Sequence, residues 1–140
     1  MAEDSVLTQN AITWTAYTYR PLIHERNVRV IKLYGNDMAD SILQFQLIEV
    51  SLDIPPKYFA ISYCWGGQSP SRRVICEGKS LLVTENCEAA LQRFRPGNNQ
   101  SIVLWIDAIC IDQSAEDLSE RNHQVTIIGD IFATAHQVWI

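Results

Sequence analysis

Two kinds of apolar spacing divide the chain. From residue 28 to residue 52, apolar and polar positions partly alternate, as in Val28-Arg29-Val30-Ile31-Lys32-Leu33-Tyr34 and in Leu43, Phe45 and Leu47 set against Gln44 and Gln46. A period of two belongs to strands. It predicts a pair of strands, joined through the turn residues Gly35-Asn36-Asp37 and ended by Pro55-Pro56. Residues 58–63 are mostly apolar and predict a third, central strand running into Cys64-Trp65-Gly66-Gly67. Arg73-Val74-Ile75-Cys76 and Leu81-Leu82-Val83 flank Glu77-Gly78-Lys79-Ser80, the pattern of a short hairpin. The spacing then turns helical. Thr84 stands as an N-cap, and Cys87, Ala90, Leu91 and Phe94 form one apolar side of a helix that Pro96-Gly97 breaks.

Residues 102–106 are an unbroken apolar run, as in a strand buried on both faces, and Asp107 closes it. Ser114, with Asp117 three residues on, reads as a helix start. Val125, Ile128, Ile131, Phe132 and Ala135 then predict one long helix with a single apolar stripe. Gln137-Val138-Trp139-Ile140 begins one more strand, and the abrupt stop suggests a piece of something longer. Residues 1–18 show no clear period and read as a flexible lead-in, and Pro21 keeps Arg20 extended. The sum is one mixed α/β domain.

In open α/β sheets, ligands bind beyond the carboxyl ends of strands. That rule directs attention to residues 104–113 and the helix after them. Glu120 and Gln124 lie one turn apart on that helix. A glutamate there either works as an acid facing the strand-end cleft, or is simply paired or solvated near a helix start. Asp107 and Asp112 flank the preceding turn, where carboxylates bind ribose hydroxyls or pin backbone N–H groups. Gln113 and Gln124 orient a ligand amide, or tie turn to helix. Tyr63 and Trp65, beside Gly66, offer rings for stacking, or Trp65 plugs the core. Cys110 sits between Ile109 and Ile111, an apolar setting that quiets a thiol, and His123 is the histidine near it, so a thiol hydrolase is the weaker reading. The loop at Gly66-Gly67 lacks a G-x-G-x-x-G pattern, which speaks against a Rossmann dinucleotide site. His24 and His136 carry no partner pattern and read as ordinary surface or interface residues, while Trp14 and Trp139 read as packing residues.

Composition narrows this further. A chain of 140 residues that is 47% hydrophobic and 19% charged suits one soluble domain, and a net charge of −5 disfavours a general nucleic-acid binder. The four cysteines include no C-x-x-C pair, so neither a zinc site nor another metal is expected. With no membrane-length apolar run and no secretory signal, reduced thiols in the cytoplasm are the expectation.

Several motifs, in order, carry a family resemblance. Tyr58-x-Ala60-Ile61-Ser62-Tyr63-x-Trp65-Gly66 resembles the first motif of the fungal heterokaryon incompatibility (HET) domain, and Leu104-Trp105-Ile106-Asp107-Ala108-Ile109-Cys110-Ile111-Asp112-Gln113 resembles its second. Val83-Thr84-x-Asn86-Cys87 lies between them, Glu120-Arg121 and Gln124-Val125 follow, and Tyr19-x-Pro21-Leu22 and Val28-Arg29-Val30-Ile31 are similar to its opening. Cys64, Cys87 and Asp112 depart from the residues common there. The likeness spans residues 19–140, a HET domain cut short at its C-terminal end, with residues 1–18 before it.

The resemblance implies a role in fungal incompatibility and programmed cell death, other domains of a longer protein as partners, and self-association. HET domains are in turn distantly similar to Toll/interleukin-1 receptor (TIR) domains. That implies a three-layer, flavodoxin-like, largely parallel sheet, here with an antiparallel N-terminal strand pair. Some TIR domains hydrolyse NAD with a helix glutamate. At this further remove Glu120 is the catalytic candidate and Tyr63, Trp65, Gly66, Asp107, Cys110, Asp112, Gln113 and Gln124 the substrate-binding ones, with NAD as substrate and no bound cofactor. The alternative is a non-enzymatic signalling scaffold.

Overall fold

The computed structural model describes residues 15–62, 67–113 and 118–140. Trp14, Tyr63, Cys64, Trp65, Gly66, Ser114 and Asp117 lie outside the described residues. The elements run β1 (Asn27–Tyr34), β2 (Gln44–Ser51), β3 (Phe59–Ile61), β4 (Arg72–Cys76), β5 (Lys79–Val83), α1 (Glu85–Phe94), β6 (Ser101–Ile106), α2 (Asp107–Cys110), α3 (Ser119–Thr126), α4 (Ile128–Thr134) and β7 (Gln137–Trp139).

The seven strands among the described residues join one sheet in the order β5-β4-β2-β1-β6-β3-β7. The N-terminal pair forms as its alternation predicts: β1 and β2 are antiparallel, with Val28 opposite Val50 and Leu33 opposite Phe45. The hairpin of β4 and β5 turns through Glu77 and Gly78, both with positive φ (52° and 78°), which gives a two-residue turn its matching twist. At the other end of the sheet, β6, β3 and β7 are mutually parallel.

The sheet is nevertheless mixed rather than largely parallel. β1 occupies its middle and is antiparallel to β6 as well as to β2, while β2 and β4 make a short parallel contact. Apolar spacing reports burial and says nothing of strand direction, so this was invisible in the pattern. β3 lies next to the edge strand β7 rather than at the centre, yet Ala60 and Ile61 are buried.

The expected long helix is two helices. At Ile127 the N–H returns to the Gln124 carbonyl at 3.2 Å, and α4 starts one residue later. The expected stripe holds only in part. Val125 is 51% exposed, while Ile127 and Ile131 are buried. The short helix α1 follows its sequence signals closely: the Thr84 hydroxyl accepts the Cys87 N–H at 3.1 Å, Glu85 and Glu88 occupy the first turn, and Cys87 and Leu91 are buried.

Aromatic contacts fix where the helices meet the sheet. Trp139 on β7 stacks between Phe59 and Phe94, each 4.4 Å away, and Trp105 on β6 meets Phe132 edge-on at 5.5 Å. The Tyr58 hydroxyl donates to the Ile131 carbonyl at 2.5 Å, which ties α4 to the entry of β3. Ile61 and Ile106 are register partners, so β3 and β6 finish side by side.

Candidate functional site

The polypeptide leaving β6 makes one turn of helix, α2, with the Ile111 N–H closing on the Asp107 carbonyl at 3.2 Å. This turn sets the corner that carries four of the sequence-derived candidates, Asp107, Cys110, Asp112 and Gln113. Asp107 and Asp112 are half-buried there, and the exposed Gln113 amide lies 3.5 Å from the Asp107 carbonyl, a weak contact. Cys110 is completely buried. Burial pushes its thiol up to about 12, so it is protonated at neutral pH and a poor nucleophile.

Glu120 stands apart from that corner and is held at both oxygens. Oε1 accepts from Nη2 of Arg29 at 2.7 Å, and Oε2 accepts the Leu22 N–H at 2.9 Å. The Arg29 side chain is 5% exposed, and that of Glu120 28%. Arg29 comes from β1, where the period of two sets it on the same face as Ile31 and Leu33. A cation so placed needs every donor satisfied. Besides Glu120, Arg29 donates to the carbonyls of Arg20 (2.9 Å) and Cys110 (3.3 Å), and its guanidinium lies 5.2 Å from the centre of the Tyr19 ring. The Tyr19 hydroxyl donates to the Ile109 carbonyl at 2.7 Å, and burial raises its pKa. Arg29 thus binds the N-terminal strap (residues 15–26, before β1), the α2 corner and α3 into one cluster.

Gln124, one turn beyond Glu120, is buried and donates to the Asn27 carbonyl at 3.1 Å, while its Oε1 is buried with no hydrogen-bond partner. A ring nitrogen of His123 lies 2.7 Å from the Glu25 carbonyl. Leu22, His24, Ser119, Glu120, His123 and Gln124 help line an open hollow of about 240 Å³. A second hollow, of about 260 Å³, is lined in part by Tyr19, Leu81, Val83, Ala108 and Gln113.

The candidates therefore divide. Gln113 faces the larger hollow, Glu120 and Gln124 the smaller, and Tyr19 with Arg29 links the two. Tyr63, Trp65 and Gly66, expected to wall the same site, lie outside the described residues. Sequence reading passed over Arg29 and Tyr19. The available signal was a lone charge at a strand position whose period-two neighbours are Ile31 and Leu33. Among the described residues, no group of three or more His, Cys, Asp and Glu is placed to hold a metal ion, and no helix is long and apolar enough to cross a membrane.

Comparison with known proteins agrees with the motifs. The sequence model of the family described as heterokaryon incompatibility protein (HET) matches residues 58–140. The chain is 27% identical over 124 residues to heterokaryon incompatibility protein 6, OR allele, of Neurospora crassa, an alignment covering 80% of this chain and 18% of that protein. This chain thus spans less than a fifth of the length of that relative. No solved structure matches.

Proposed function

Because the chain belongs to the heterokaryon incompatibility (HET) family, we propose that it is the module of a longer incompatibility protein that triggers cell death, and that it does so by hydrolysing the N-glycosidic bond of NAD or a related nucleotide at the Glu120 hollow. The observation that carries the chemical half is the fixing of Glu120. Its two oxygens are positioned by Arg29 and the Leu22 N–H, yet the side chain keeps 28% of its exposure on a hollow of about 240 Å³.

A carboxylate oxygen accepts about two hydrogen bonds, so each oxygen of Glu120 has capacity left for a ligand. Held in place beforehand, the group meets the cationic charge that develops on the ribose as the carbon–nitrogen bond breaks. The bond's electron pair leaves with neutral nicotinamide. Water supplies the new bond at the anomeric carbon and releases a proton.

A second reading has its own observation. Arg29, 2.7 Å away, offsets much of the negative charge that such a role needs, and the same pair clasps the N-terminal strap to α3. On this reading Glu120 is structural, and the module signals by association with its own kind or with a partner domain.

One variant separates the two. Glu120→Gln keeps the shape and an acceptor oxygen but loses the charge. Purified protein is incubated with NAD, nicotinamide is measured, and folding is followed by circular dichroism. Release by the native chain and its loss in a folded Glu120→Gln variant support hydrolysis. No release across a wide range of protein concentrations, with toxicity in cells that tracks the stability of the variants, supports the scaffold.

A further inference from the structure

The larger hollow, about 260 Å³, takes no part in the chemistry assigned to Glu120. Its walls come from four parts of the chain: Leu81, Val83 and Thr84 at the end of β5 and just beyond it, Ala108 and Gln113 from the corner after β6, Tyr19 from the strap, and Pro70 from the loop before β4. It lies at the carboxyl end of β6, where α/β sheets present ligand sites.

We propose that this cavity binds one neutral heteroaromatic ring system, of about the size of a purine. Volume sets the upper limit. At about 260 Å³ it falls just short of the roughly 300–1,000 Å³ that buries a drug-sized molecule, so it holds a single ring system with a small substituent. Charge sets the class. Among the described residues, none that lines the cavity carries a formal charge and most of that wall is aliphatic or aromatic, so there a buried phosphate or carboxylate would find no counter-ion.

Preorganisation favours a flat ligand. The Tyr19 ring cannot swing away, because its hydroxyl is tied to Ile109 and Arg29 lies beside it. It is a standing wall, which lowers the cost of ordering on binding. The Gln113 amide, exposed at the rim, offers a donor and an acceptor side by side, the match for a ring edge that carries both. The proposal does not depend on hydrolysis at Glu120.

Adenosine is the probe and D-ribose its control, followed by backbone amide NMR of the ¹⁵N-labelled full chain. Adenosine should shift the signals of residues 81–84 and 108–113 saturably, with a Kd on the order of 0.1 mM, as ordinary per-atom efficiencies give for a ligand of its size. Ribose should leave them in place. Ala108→Phe, which fills the cavity, should weaken binding about tenfold or more, and Gln113→Ala several-fold. Shifts that fail to saturate, that centre on residues 119–124, or that survive Ala108→Phe overturn the proposal. Should Ala108→Phe fail to fold, the exposed Gln113→Ala decides alone, and an unchanged Kd there overturns it.

Discussion

Replacing Arg29 with methionine tests whether the Arg29–Glu120 pair organises the site. The substitution keeps much of the unbranched stem and deletes the guanidinium, and with it the bonds to Glu120, Arg20 and Cys110. Breaking a fully buried pair by removing one partner costs about 3–5 kcal/mol, whereas an exposed pair is worth about 0–1. Arg29 is at the buried limit and Glu120 is between the two, with side chains 5% and 28% exposed. The Glu120 carboxylate would recover part of its solvation through the hollow, so the expected loss is about 3 kcal/mol. Glu120→Gln leaves a buried guanidinium facing a neutral amide that still accepts a hydrogen bond, and about 2 kcal/mol is expected. The double variant should lose clearly less than the sum, because the second substitution removes a charge that the first has orphaned. Urea denaturation of the four proteins, followed by circular dichroism, gives the coupling energy as the departure from additivity. A coupling below about 0.5 kcal/mol, or an Arg29→Met variant within about 1 kcal/mol of the native chain, would refute the claim that this pair joins strap, corner and helix.

Alkaline pH should expose the buried thiols. Cys110 ordinarily titrates near 9 and is pushed up to about 12 by burial. The folded chain therefore holds this proton more tightly than the unfolded one. The contribution to stability is full below pH 9 and declines progressively between pH 9 and 12. At pH 10.5 about 2 kcal/mol should be gone from this group alone, and Cys110→Ala should flatten that part of a melting-temperature profile against pH; an unchanged profile counts against the burial argument. Two glycines should respond with opposite sign in thermal melts. A Cβ on Gly35 would collide with the Gly97 carbonyl, so Gly35→Ala is expected to cost about 2–3 kcal/mol, while Gly129 in α4 has open space around it and Gly129→Ala should gain about 0.5–1 kcal/mol. Thr84→Ala removes the N-cap of α1 and should cost about 1 kcal/mol, read from the urea midpoint.

What could be read from the sequence follows the range of the forces involved. Alternation in β1 and β2, the turn at Glu77-Gly78 and the cap at Thr84 are local statements, written in residues that touch one another, and the structure has them where the spacing puts them. The direction in which β1 meets β6 is not local. Ile31 and Leu104 are equally apolar whichever way their strands run, so nothing in the pattern distinguishes the mixed sheet from a parallel one. The break at Ile127 shows the opposite error, in which a local pattern was trusted too far. Val125 and Ile128 fit one helical stripe on paper, but the buried side runs through Gln124, Ile127 and Ile131, which leaves Val125 in solvent. The site has the same character. Glu120 was legible as a helix acid, and its partner Arg29 as a cation in an apolar strand, but the two lie 91 residues apart. Only the folded chain brings them together. That pairing changes the chemistry under test, because a glutamate held by a buried arginine acts as a fixed, partly neutralised oxygen acceptor. If it catalyses, it does so by position rather than by the strength of an isolated charge. Turnover in Glu120→Gln and in Arg29→Met should then fall together, whereas a free nucleophile would lose activity in the first variant and keep most of it in the second.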